Sequence, residues 1–161
     1  MTADHRIDDQ SFRHVLGHFA SGVTVVTAME DGSPAGFTCQ AFTSLSLDPP
    51  MVAFAAAKSS TSWPRMVKAR AFCVNILEEH QEAAARGFAV SGADKFVGVA
   101  WHPGAQGTPV LDGALAWVEC ELLTVHDAGD HELVTGRVLE LGTGTGGPLL
   151  FYRGAYGRFS S

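Results

Sequence analysis

The stretch GFTCQAFTSLSLDPPMV, residues 36–52, decides most about the fold. AGFTC (35–39) reads as a strand, and TSLSL (43–47) alternates polar and apolar residues as a half-buried strand does. Asp48-Pro49-Pro50 ends that strand, because proline offers no N–H to a ladder. Met51 then opens MVAFAAA (51–57), an apolar run of the length of a buried strand. Working upstream, VTVVTA (23–28) is a β-branched run. It is joined to 35–39 across the turn residues EDGSP (30–34), so the two form a hairpin.

Farther out the pattern repeats. AFCVNIL (71–77) is another strand. ALAWVECELLTVH (114–126) and HELVTGRVLEL (131–141) are long strand candidates, joined across Asp127-Ala128-Gly129-Asp130, a hairpin signal. FYRGAYGRF (151–159) reads as one last strand. Helices are expected in three places. Phe12, Val15, Leu16 and Phe19 share helical spacing over 9–20, with Asp8 or Asp9 as cap and Ser21-Gly22 as stop. The segment 58–70 reads as a short helix with Ser59 or Ser60 near its cap and Pro64 in its first turn. EEHQEAAARGF (78–88) is rich in Ala and Glu. Residues 89–112 carry many Gly and Pro and read as long loop, and 1–8 as a flexible polar tail. Strand contacts fall between neighbours and there is no βαβ rhythm. The expectation is a mainly β, antiparallel barrel with a few short helices, forming one domain over 9–161.

Composition narrows the function. A chain of 161 residues with a net charge of −6 is a poor partner for nucleic acid, which needs clustered Lys and Arg. The longest apolar run is far below the roughly 20 residues of a membrane span. MTADHRIDDQ is no signal peptide. Cys39, Cys73 and Cys120 are scattered and odd in number, a poor disulfide or zinc set. These features point to a cytoplasmic protein without a metal, a membrane or a nucleic-acid partner.

Some motifs mislead. Gly142 to Gly147 spells G-x-G-x-x-G, but a phosphate-binding motif needs a helix after it, and Pro148-Leu149-Leu150-Phe151 reads as strand. His14 and His18 lie four apart without the Glu of H-E-x-x-H. No G-x-S-x-G elbow is present. Trp63, Trp101 and Trp117 are read as core or interface aromatics.

With those set aside, 36–52 resembles the FMN-binding split β-barrel family of short-chain flavin reductases, the reductase components of two-component flavin-dependent monooxygenases. FASGVTVVTA (19–28) resembles the family's opening helix and first strand, and AFCVNIL (71–77), FAVSGADKFVGVAW (88–101), GTPVLDGALAWVECEL (107–122), GDHELVTGRVLEL (129–141) and PLLFYRGAYGRF (148–159) match its later blocks in order. The resemblance therefore spans residues 12–159. It implies an NAD(P)H:flavin oxidoreductase that uses NADH or NADPH to reduce FMN or FAD for a partner monooxygenase, and a homodimer.

The residues allow this. Thr38, Cys39, Gln40 and Ala41 are small or neutral at a strand end, where backbone N–H groups can approach a flat ring edge. Thr43 and Ser44 add hydroxyls. Lys58, Ser59, Ser60 and Thr61 precede a helix and suit a phosphate. The resemblance adds Asn75, Phe96 and Tyr156 as flavin-site positions. It makes His131, after Gly129-Asp130, the catalytic position beside the nicotinamide. Hydride transfer between cofactors needs no protein nucleophile. Two rivals carry different chemistry: an oxidase on the same barrel related to pyridoxamine-phosphate oxidation, and a non-enzymatic flavin carrier or sensor. The first needs an Arg cluster beyond Arg65, Arg70 and Arg86; the second has no use for the GDH block.

Overall fold

Antiparallel strands alternate faces, so a sheet with one apolar face must bury it by curling or by gaining a second layer. This chain does both. The computed structural model describes residues 6–161. In chain order the elements are α1 (Asp9–Leu16), β1 (Ser21–Gly22), β2 (Thr24–Glu30), β3 (Ser33–Cys39), β4 (Phe42–Leu47), β5 (Pro50–Ala57) and α2 (Trp63–Ala69). They continue with β6 (Ala71–Ile76), α3 (Glu82–Phe88), β7 (Trp101–Pro103), β8 (Pro109–Leu111), β9 (Ala116–Ala128), β10 (His131–Thr143), β11 (Leu149–Tyr152) and β12 (Ala155–Arg158).

The main sheet has seven strands in the order β3-β2-β6-β9-β10-β5-β4, all paired antiparallel. Its two edges, β3 and β4, are consecutive in the chain and separated only by Gln40 and Ala41. The three Cα–Cα steps from Cys39 to Phe42 reach no more than about 11 Å, so the sheet must close on itself. The result is a barrel split where β3 hands over to β4. Inside it Val26, Phe37, Phe54, Phe72, Val74 and Val134 pack with Trp63 and Met66 of α2. Gly136 is needed because a Cβ there would collide with the ring of Phe72. A second layer, with Val23, Val25, Leu77, Phe88, Leu111 and Leu149, lies outside the barrel under α3.

Several boundaries differ from the sequence reading. The first helix ends at Leu16, with Gly17 donating back to the Arg13 carbonyl, and Ser21-Gly22 is a short strand paired with β11. Asp8 supplies its cap. The expected 58–70 helix begins at Trp63 and the 78–88 helix at Glu82. The 89–112 loop contains the β7–β8 hairpin. The final strand is a hairpin whose two turn residues, Arg153 and Gly154, both have positive φ, 50° and 82°. Of the expected tail, residues 1–5 lie outside the described residues and 6–8 precede α1 without regular structure. Among the described residues no helix is long and apolar enough to cross a membrane.

Candidate functional site

The chain leaves the β2–β3 ladder at Cys39 and joins the β4–β5 ladder at Phe42. At this split a cavity of about 530 Å³ opens. One side is strand end: Phe37, Thr38, Cys39, Gln40 and Ala41, facing Ala55 and Ala57 of β5. Ser59 and Ser60 line it from the turn after β5, and Phe88, Ala89, Ser91 and Lys95 from α3 and the loop beyond. His131, Phe151 and Tyr156 complete it. Alanine and aromatic walls leave room for a flat, partly apolar molecule, with hydroxyls and an ammonium for a polar tail.

Each expected residue has a definite place. The Thr38 hydroxyl donates to the Ala85 carbonyl (2.6 Å), tying β3 to α3. The Cys39 thiol donates to the carbonyls of Ala55 (3.4 Å) and Ala41 (3.6 Å) and so braces the split. Burial pushes that thiol up to about 11, so it stays protonated at neutral pH. The Ser60 hydroxyl oxygen accepts from the Trp63 and Ser62 amides at the start of α2. Tyr156 packs edge-on to Phe151, with the Arg86 guanidinium 4.9 Å above its ring.

His131 is the first residue of β10 and pairs with Ala57 and Ala128. Its Nδ1 lies 2.7 Å from Asp130 Oδ1. The bond from His131 holds the Asp130 carboxyl below its usual range. The turn is fastened further by the Lys58 amide, which donates to the Asp130 carbonyl (3.0 Å).

Other expected residues do not line this cavity. The Lys58 ammonium is paired with Asp127. Thr61 accepts the Gly92 amide at 3.2 Å. Thr43 lines a neighbouring groove with Phe19, Ala53 and Leu133. Ser44 is exposed on β4. Phe96 packs behind Phe88 at a centroid distance of 4.9 Å. Asn75 is fully buried. Its amide donates to the Val25 carbonyl and the Thr27 hydroxyl and accepts from the Leu111 amide.

Conversely, Ala55, Ala57, Ser91, Lys95 and Phe151 enter the site although the sequence reading did not single them out. Lys95 had one signal, a lone cation inside the Gly-rich, apolar block 88–101. The G-x-G-x-x-G stretch contributes nothing to the cavity. No helix follows it, and a Cβ on Gly144 would meet the Ala114 carbonyl at 2.6 Å. Trp63, Trp101 and Trp117 are likewise absent from its walls.

Residues 16–160 match the model of the flavin reductase like domain family. The chain is 46% identical over 155 residues to the reductase subunit HsaB of a flavin-dependent monooxygenase from Rhodococcus jostii, covering 96% of this chain and 80% of that one. Nitrilotriacetate monooxygenase component B from Mycobacterium thermoresistibile superposes with a TM-score of 0.91 at 45% identity, covering 95% of this chain and 87% of that one. The Streptomyces globisporus NADH:FAD oxidoreductase SgcE6, solved in complex with NAD and FAD fragments, gives a TM-score of 0.89 at 37% identity, covering 95% and 93%. With nearly the whole length matched in sequence and fold, this chain belongs to the flavin reductase like domain family.

Proposed function

We propose that this chain is an NAD(P)H-dependent flavin reductase that supplies reduced FMN or FAD to a partner monooxygenase, residues 9–161 acting as one unit. When bound, the nicotinamide and the flavin supply the chemistry themselves, a hydride donor and its acceptor, so the protein's work is stacking and orientation. The observation that carries this reading is the cavity at the barrel split. Its alanine and aromatic walls suit a flat ring, and its Ser59–Ser60 end suits a phosphate.

In this reading Thr38, Cys39, Gln40 and Ala41 border the ring, and Tyr156 closes the cavity. His131, held by Asp130, orients the nicotinamide. Thr61 and Asn75 act through backbone they hold in place. Phe96 acts through Phe88, and Thr43 and Ser44 through strand β4.

A second copy of the chain is the proposed partner in a homodimer. Phe12, Val15, Leu16 and Phe19 are more than half exposed, and α1 buries no residue. A helix this short needs a packed apolar face to persist. Phe19 and Leu133 line a groove that shares Gln40, Ala41 and Ala55 with the cavity, so the dimer face borders the site. The three cysteines are free and buried, which suits a reducing cytoplasm.

NADH oxidation by the purified protein, with and without added FMN or FAD, tests the activity. Turnover should require added flavin. Flavin that stays bound through gel filtration and turns over with NADH alone would contradict its role as a dissociable substrate. Ala41→Trp should fill the ring slot and remove flavin binding in a fluorescence titration, and unchanged affinity would move the site elsewhere.

A further inference from the structure

Tyr156 is a cavity residue on a weakly supported strand. It belongs to β12, an edge strand of four residues that pairs only with β11. Among the described residues its hydroxyl makes no hydrogen bond. The ring rests edge-on against Phe151, at a centroid distance of 5.1 Å, and on the apolar layer that includes Phe88 and Leu149. One charged group reaches it, the Arg86 guanidinium, 4.9 Å from its centroid. That lies within the roughly 6 Å at which a cation is attracted by the face of an aromatic ring.

Arg86 does not line the cavity, but it is aimed. Its Nε and Nη2 both donate to Glu82 Oε1, at 3.0 and 2.7 Å, one turn back along α3. Arg86 is 65% exposed, so the ion pair contributes little to stability. It does confine a long side chain to one position. The helix beneath is itself fastened to the cavity wall, because the Ala85 carbonyl accepts the Thr38 hydroxyl at 2.6 Å. Consecutive residues of α3 thus hold two walls of the cavity, β3 through Ala85 and β12 through Arg86.

We propose that Arg86 is a positioning residue for flavin binding. It acts through Tyr156, fixing the ring that closes the cavity before the flat ligand arrives, and Glu82 aims the guanidinium. A wall ordered in advance spares the ligand the cost of ordering it. The inference rests on reading the cavity as the flavin site.

The test measures FMN and riboflavin binding by fluorescence titration, together with NADH oxidation at varied FMN. It uses the unaltered protein, Arg86→Ala, Arg86→Lys, Tyr156→Leu and the double variant Arg86→Ala/Tyr156→Leu. Arg86→Ala should weaken both flavins about two- to fivefold, the range of an exposed cation–ring contact. The loss should appear in KM for FMN, with kcat within about twofold. Arg86→Lys keeps the charge and should recover part of the affinity. Tyr156→Leu should weaken both flavins at least as much, and on that background Arg86→Ala should add nothing. A further loss in the double variant would overturn the proposal, because Arg86 would then act through α3 as a whole. A loss confined to FMN would overturn it in favour of a direct contact with the phosphate. Unchanged affinity in Tyr156→Leu would overturn it even if the Arg86 variants fail to fold. Failure of both flavins to bind the unaltered protein would refute the cavity as a flavin site, and this proposal with it.

Discussion

The outer surface of the barrel has two halves that are built differently. Over β2, β6 and β9 the chain lays its own cover, the β7–β8 hairpin and α3. This cover is pinned by polar groups at the bottom of the layer. Asn75 bridges β2 to Leu111, the Thr27 hydroxyl donates to the Pro109 carbonyl, and Glu119 accepts from the Gln106 amide and the Thr108 hydroxyl. Asn75, Thr27, Thr108 and Glu119 are each at most 3% exposed. Among the described residues there is no such cover over β4, β5 and β10. Leu133 is 42% exposed and Leu47 is 97% exposed. Buried polar groups cost free energy unless each finds its partner, so the covered half accepts one arrangement only. The bare half has apolar groups without such a demand, and in the reading above a second copy covers it.

The largest effect should come from the bare half. Leu133→Glu places a charge on both sides of a two-fold interface. At about 3–5 kcal/mol per uncompensated buried charge, the dimer should dissociate by at least about a thousandfold. Light scattering at micromolar concentration should then report a monomer, with flavin affinity reduced because the groove borders the cavity. A monomeric unaltered protein would break the comparison at its root.

Asn75→Ala probes the covered half. It leaves the Leu111 amide and the Val25 carbonyl with fewer partners in a buried layer. The expected loss is about 3–4 kcal/mol of stability in urea. The oligomeric state at low urea should not change. Dissociation of the dimer by this change would show that the two halves are coupled.

Alkaline pH should act through the thiols of the interior. Cys39 titrates at about 11 and Cys73 and Cys120 at about 12 when folded, against 9.0 unfolded. Burial is the first cause in each. Groups that hold their protons more tightly when folded stabilise the protein fully below pH 9 and lose that contribution as pH rises through the folded values. By pH 11 Cys39 alone should account for up to about 3 kcal/mol. A urea midpoint that stays flat from pH 8 to 11 would show that the thiols are not as buried as their packing indicates.

The smallest effect belongs to His131, which begins β10 where cavity and bare face meet. His131→Ala should lower kcat/KM for NADH by about tenfold, near 1.4 kcal/mol, with flavin affinity little changed. If flavin binding collapses instead while the fold survives, His131 belongs to the flavin and not to the nicotinamide. If Leu133→Glu lowers activity less than His131→Ala does, the dimer face is not part of the site.

Much of the sheet was legible because its strands obey a local rule. VTVVTA, MVAFAAA and AFCVNIL are β-branched or apolar runs flanked by turn residues, and each appears within two residues of its expected span. The β7–β8 hairpin was not legible. Its strands have three residues each, two of the six are proline, and long-range contacts with Thr27 and Asn75 hold it in place. The last hairpin was missed because Arg153 adopts a positive φ that the sequence Tyr152-Arg153-Gly154-Ala155 does not advertise.

By itself, then, the sequence determined an antiparallel β protein, the likeness to flavin reductases, and the strand end Thr38 to Ala41 on which the cavity is built. Those features are carried by hydrophobic period, turn chemistry and a contiguous motif, all local along the chain. The tertiary structure decided which charges face the cavity. Lys58 sits beside the serines in sequence, but the end of β9 brings Asp127 onto it. Lys95 lies 35 positions beyond Ser60 in the chain, but carbonyls of β3 and α3 draw it to the cavity wall. An ion pair depends on separation in space, and closing the barrel sets that separation without regard to distance along the chain.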